Sequence, residues 1–99
     1  MEIIKKIAGD ELYIKPMGRI DINTAASFGE TIDDALDESI NNLILDFDEI
    51  VYISSIGLRV LLEFQKRMVN PKTMKIINVK SEVMEVFTMT GFNKILTII

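Results

Sequence analysis

The segment Ser54-Ser55-Ile56-Gly57-Leu58-Arg59 puts two hydroxyls at the junction of an apolar run and an amphipathic one. In open α/β sheets, such strand-to-helix junctions are where ligands and partners meet the protein. Either serine can serve as a helix N-cap, its oxygen accepting a free amide of the first turn. Either can also carry a phosphate, because the unpaired N–H groups point outward and the macrodipole places roughly half a positive charge there. Asp46 and Asp48, two residues apart, are the other candidate pair. Carboxylates at that spacing can bind a metal, or they can simply end a central strand in an acidic protein. Other chemistry is excluded by composition. The chain has no cysteine and no histidine. Disulfides, thiol nucleophiles, cysteine–histidine zinc sites, Ser-His-Asp triads and histidine general bases are therefore out of reach. Gly57 stands alone, without the glycine-rich loop that cradles a nucleotide phosphate. No catalytic residue, metal ligand or cofactor is expected.

The elements that position these residues follow from periodicity. Residues 3–7 are short and apolar, and Gly9-Asp10 marks a turn. Leu12, Ile14 and Pro16 then alternate with Tyr13 and Lys15, the period of a half-buried strand, so the two segments form a hairpin. Residues 17–21 are an irregular link in which Gly18 suits an unusual backbone angle. Asn23 is the expected N-cap of a helix over 24–38, with Ala25, Phe28, Ile32, Ala35 and Leu36 at helical spacing. The nearly continuous apolar run 43–47 predicts a strand buried on both faces. Residues 50–53 lead into Ser54-Ser55, and a second helix spans 56–69 until Asn70-Pro71 stops it. Ile56, Val60, Phe64 and Met68 lie along one side of that helix. Leu58 and Leu62, four apart, are a candidate exposed strip beside the serines. A strand over 74–79, a helix over 82–89 capped by Ser81 and ended by Gly91, and a strand over 95–99 complete the chain.

The element order is therefore β-β-α-β-α-β-α-β. Alternating strands and helices imply parallel neighbours joined by right-handed crossovers. The expectation is one α/β domain over residues 1–99: a mixed β-sheet with the helices packed mainly on one face. At 99 residues and 11.2 kDa the chain should keep about 5,700 Å² exposed around one core. A net charge of −4 argues against nucleic acid, whose phosphates require a basic face. No apolar run approaches the roughly 18 residues of a membrane span. The N-terminus also lacks the order of a signal peptide, so no membrane partner and a cytoplasmic location are expected. A monomer is expected. A dimer is the alternative, should Thr97-Ile98-Ile99 form a sheet edge.

Residues 52–62 resemble the STAS domain of bacterial anti-sigma factor antagonists. Gly18-Arg19-Ile20-Asp21 followed by Asn23-Thr24-Ala25 is similar to that family's approach to its first helix, and Leu43-Ile44-Leu45-Asp46 to its central strand. Residues 86–92 are similar to its third helix and the following turn. The resemblance implies a mixed sheet flanked by helices and a phosphorylation switch regulating sigma-factor-dependent transcription. The unphosphorylated protein would bind an anti-sigma factor that is itself a serine kinase. Phosphorylation would release it, and a serine phosphatase would restore it. Alignment on Gly57-Leu58 puts the phosphoserine at Ser55. Ser54, where the family often has aspartate, is the alternative acceptor. The implied partner surface holds Ser54, Ser55, Leu58, Arg59 and Leu62, with Gly18, Asp21, Asn23 and Thr24 at its edge. A second function class is a STAS-like subunit of another assembly, such as a lipid-transport ATPase complex or a stress-sensing scaffold. In that setting the same surface binds constitutively and the serines are ordinary caps. A small enzyme or nucleotide-binding domain, the third class, lacks the histidine, cysteine or phosphate loop it would need.

Overall fold

The computed structural model describes residues 1–99. Its strands are β1 (Glu2–Ala8), β2 (Glu11–Ile20), β3 (Asn42–Asp46), β4 (Glu49–Ile53) and β5 (Thr73–Ile77). Its helices are α1 (Ala25–Ala35), α2 (Ser55–Arg67) and α3 (Ser81–Thr90), followed by a 3-10 turn at Phe92–Lys94. The ten-residue β2 is the spine of the sheet. β1 pairs with it antiparallel along its whole length. On its other side β3 pairs parallel with the first half, Leu12 beside Leu43 and Ile14 beside Leu45. β4 pairs parallel with the second half, Arg19 beside Tyr52 and Ile20 beside Ile53. β5 lies outside β3, also parallel.

The mixed sheet and the order of elements agree with the sequence expectation, with two differences. Residues 43–53 make two strands, because the chain turns between them. The Asp48 N–H donates to Asp46 Oδ1 at 3.0 Å, and the Ile50 N–H donates to the Phe47 carbonyl at 2.9 Å. At the C-terminus the expected strand over 95–99 is reduced to one bridge, Ile76 with Ile98. Leu96 turns into the core, which takes up half the apolar run before it reaches the sheet. The caps differ as well. Thr24, not Asn23, is the N-cap residue of α1, and Lys80, not Ser81, that of α3. Gly91 ends α3 in the left-handed conformation, φ 79°, which costs a residue without Cβ nothing.

One cluster of 21 apolar side chains forms the core, and all three helices contribute to it. Phe47 sits at its centre, its ring edge-on to Phe28 of α1 at 6.5 Å and 6.3 Å from Phe87 of α3. Along β2, Leu12, Ile14 and Pro16 are buried while Tyr13, Lys15 and Met17 are only half-buried. β5 shows the same alternation, so the helices cover one face of the sheet. The folded chain exposes 5623 Å², close to the value expected for its mass.

Candidate functional site

The junction singled out in the sequence lies where β4 runs into α2. Ser54 is the N-cap residue of α2, with extended backbone (φ −95°, ψ 176°), and Ser55 is the first helical residue. Ser54 accepts the Leu58 N–H at 3.0 Å through its carbonyl, and its own N–H donates to the Ile20 carbonyl at 2.9 Å. That second bond ties the start of α2 to the end of β2. Gly57 explains how the helix comes so close. A Cβ there would lie 2.7 Å from Ile53 and 2.8 Å from Ile20. Gly57 is thus a packing glycine between helix and sheet.

The two serines differ in their surroundings. The Ser54 hydroxyl is buried and has no hydrogen-bond partner. It occupies the cap position but makes no side-chain cap bond. Ser55 is exposed. No acidic residue stands in the first turn of α2, so the positive end of the helix is left without a carboxylate to compensate it.

The residues grouped around the serines divide further. Leu58 is 5% exposed and belongs to the core, so the exposed strip expected at Leu58 and Leu62 does not form as such. The buried side of α2 holds Gly57, Leu58, Leu61 and Phe64, which turns Leu58 inward. Leu62 is half-buried and not packed on the core, and Arg59 is exposed. Spacings of four, three and four put Ser55, Arg59, Leu62 and Lys66 on one side of α2. Ile56, placed by periodicity with the core, is 38% exposed instead. The opposite flank of α2 faces α1. Val60 packs beside Gly29 there, and Arg67 pairs with Asp33 at 2.6 Å.

The β2–α1 segment lies next to this junction through the pairing of β2 with β4. Gly18, φ 102°, sits beside Ile50 at a shift of register. Beyond it a tight hydrogen-bonded turn starts α1. The Thr24 hydroxyl donates to the Arg19 carbonyl at 2.6 Å and accepts the Asp21 N–H at 2.9 Å. Asp21 Oδ1 accepts the Asn23 N–H at 2.9 Å. Asn23 is exposed, while Gly18, Asp21 and Thr24 are half-buried. Sequence reasoning missed the Arg19–Tyr52 pair at this end of the sheet. The guanidinium lies 4.2 Å from the ring centre and 3.6 Å from Asp21 Oδ2. Its only sequence signal is an Arg and a Tyr on two strands that must be known to be neighbours.

The carboxylate pair Asp46/Asp48 is not a site of this kind. Asp46 is buried, accepting from the Tyr13 hydroxyl, from the Asn78 amide at 3.0 Å and from the Asp48 N–H. No group of three or more acidic side chains is arranged to hold a metal ion. No helix is long and apolar enough to cross a membrane.

The fold recurs in known structures. The anti-sigma factor antagonist of Mycobacterium paratuberculosis superposes with a TM-score of 0.88 at 16% identity, over 98% of this chain and 83% of that one. A putative anti-sigma factor antagonist of Thermotoga maritima gives 0.87 at 20% identity, over 97% and 84%. The anti-sigma factor antagonist SpoIIAA in its unphosphorylated form gives 0.75 at 14% identity, over 99% and 87%. No curated protein matches the chain. The model of the STAS domain family matches residues 2–99, nearly the whole length, and the chain belongs to that family.

Proposed function

We propose that this protein is a non-catalytic anti-sigma factor antagonist switched by phosphorylation of Ser55. The observation that carries the reading is the contrast between the two serines. Ser55 is exposed on the first turn of α2, and the Ser54 hydroxyl is buried. A kinase needs an accessible hydroxyl, which favours Ser55 over Ser54. Structural relatives support the role. Several are anti-sigma factor antagonists, and the Bacillus cell fate determinant SpoIIAA has been solved in a phosphorylated form as well.

In this reading the unphosphorylated protein binds an anti-sigma factor through Ser55, Arg59 and Leu62, with Asp21 and Asn23 at the rim and Gly18 and Thr24 shaping the turn. Leu58, being buried, supports that surface from beneath, and exposed Ile56 takes its place as an apolar contact. The phosphate adds about −1.5 to −2 charges at neutral pH. On the free protein it meets the helix N-terminus, where an anion is favoured by about 0.3–1 kcal/mol. Inside a complex the same group must be desolvated against the partner, which weakens binding by several kcal/mol unless a cation meets it. A partner kinase and an opposing phosphatase complete the cycle.

The test uses a candidate anti-sigma factor with serine kinase activity, with phosphopeptide mapping, partner titration and thermal unfolding on the same sample. Modification at Ser55 is expected. Ser55→Ala should bind constitutively, and Ser55→Asp should bind poorly while melting near wild type. Exclusive modification of Ser54, or loss of native structure on phosphorylation, would sink the mechanism.

A further inference from the structure

The two edges of the sheet differ. The outer edge of β5 is partly closed by the C-terminal segment. There the Ile76 N–H donates to the Thr97 carbonyl at 2.9 Å, and the Ile99 N–H donates to the Ile76 carbonyl at 3.0 Å. The outer edge of β1 pairs with nothing. Strand β1 runs for seven residues without a proline or a bulge, although open edges are usually kept short or interrupted. It also leaves apolar side chains bare, Ile4 at 40% exposure and Ile7 at 59%. The hairpin fixes which backbone groups this edge offers. Gly9-Asp10 is a two-residue loop between the paired Ala8 and Glu11, and the pair that flanks such a loop is hydrogen-bonded. By alternation Lys6, Ile4 and Glu2 turn their N–H and C=O groups toward β2. Ile3, Lys5 and Ile7 turn theirs outward.

We propose that β1 pairs antiparallel with β1 of a second copy, about a two-fold axis at Ile4, so that two sheets become one. The strand is self-complementary in that register. Ile3 and the partner's Lys5 exchange backbone hydrogen bonds through their outward groups. Glu2 stands opposite the partner's Lys6, and Ile4 opposite its own copy, both in the non-hydrogen-bonded positions where side chains come closest. Glu2 and Lys6 form no ion pair within the chain, although Glu11 lies near Lys6. Other arrangements are worse. A shift by one pair in one direction sets Lys5 against its own copy, and in the other it carries Lys6 past the end of the partner strand. Parallel pairing in register sets both lysines against their own copies, and like charges directly opposite destabilise a strand pair. The lysines thus reject misaligned strands, while Glu2 admits one alignment. Strand β4, which leads into Ser55, lies on the far side of β2 from β1, so the pairing leaves that surface open.

The experiment is sedimentation equilibrium of the full chain from micromolar to millimolar concentration. One strand pair is a small interface of the transient class, below about 1,200 Å², so a dimer is expected toward the upper end of that range. Lys6→Glu or Glu2→Lys alone sets like charges opposite each other twice per dimer, and each should weaken association about tenfold. The exchange Glu2→Lys/Lys6→Glu should restore it, because the charges are again opposite when position 2 meets position 6. If a variant does not fold, amide hydrogen exchange on the wild-type chain decides. Raising the concentration should protect the Ile3 and Lys5 amides and leave those of Ile4 and Lys6, already bonded to β2, unchanged. A chain that stays monomeric at millimolar concentration overturns the proposal. So does a dimer that the folded charge-exchanged variant fails to restore, or one that protects the β5 edge or the start of α2 instead.

Discussion

Two polar clusters end the two strands that pair parallel with β2, and they are built on opposite lines. At the end of β3, Asp46 is saturated: a phenol, an amide and a backbone N–H converge on one buried carboxylate. At the end of β4, the Ser54 hydroxyl is buried with nothing to bond and the Ser55 hydroxyl faces solvent. A saturated cluster spends its hydrogen-bonding capacity on holding the fold, here the turn from β3 into β4. An unsaturated one has capacity left for something outside the chain. The difference separates a structural acid from a candidate functional serine more sharply than residue type does, since aspartate pairs are at least as suggestive of chemistry as serine pairs.

The largest expected effect tests the boundary of the proposed partner-binding cluster. Leu58→Ala should cost about 2–4 kcal/mol, because a buried leucine leaves a cavity as well as losing transfer energy. In a domain of this size each kcal/mol lowers the melting temperature by about 4–8 °C. Leu62→Ala, half-buried and off the core, should cost under about 1 kcal/mol. Equal losses in thermal unfolding would mean that α2 presents a different face from the one described. Partner binding should respond in the opposite order, more to Leu62 than to Leu58 in samples that remain folded.

A smaller effect is expected at Asp46. Burial works to raise its carboxyl, and the hydrogen bonds from Tyr13, Asn78 and the Asp48 N–H outweigh it, so the group titrates below its ordinary value. Its contribution to stability is therefore complete above the unfolded value of about 3.9 and is lost as pH falls through the folded one. Tyr13 moves the other way. The hydrogen bond it donates to Asp46, then burial, then the charges of Asp46 and Asp48 push it up to about 12. Its share is present below the unfolded value of about 10 and disappears as pH rises toward the folded value. Asp46→Asn should cost about 1–3 kcal/mol and return the Tyr13 titration, followed by ultraviolet absorbance, toward the ordinary value. A phenol that stays near 12 in the variant would show that burial and the Asp48 charge, not Asp46, hold it there.

The two clusters also differ in how far the sequence announces them. Local signals served the serines well: an apolar run, two hydroxyls and an amphipathic repeat stand next to one another in the chain. The same local reasoning placed the hairpin, α1 and the left-handed Gly91. It failed where position depends on distant residues. Asp46 meets Tyr13 and Asn78 across more than thirty residues in each direction, and no periodicity carries that. Leu58 looked like part of a strip because α2 is apolar around most of its circumference, and only the packing of Gly57 against Ile20 and Ile53 fixes which side turns inward. The break between β3 and β4 is similarly hidden, since the Asp46 carboxylate that holds the turn lies inside what reads as one apolar strand.

The smallest expected effect is the most direct probe of the comparison. A serine at a helix N-cap ordinarily stabilises the helix through its hydroxyl, and its replacement by alanine costs typically about 1 kcal/mol. Ser54 occupies the cap position, yet its hydroxyl makes no cap bond and is buried without any partner. One contribution therefore vanishes and another turns favourable. No hydrogen bond is lost in Ser54→Ala, and the desolvation cost of an unsatisfied hydroxyl, of order 1–3 kcal/mol, is relieved. Part of that gain is offset by the small void the oxygen leaves. The backbone bonds from Ser54 to Ile20 and Leu58 are untouched by the change. Ser54→Ala should thus be neutral or raise the melting temperature, where an ordinary cap would lower it. Phosphorylation at Ser55 should proceed unchanged in the same variant. A loss of 1 kcal/mol or more by denaturant unfolding, the typical cap penalty, would show that Ser54 caps α2 after all. The junction would then be as saturated as the Asp46 corner, and the contrast between them would rest on Ser55 alone.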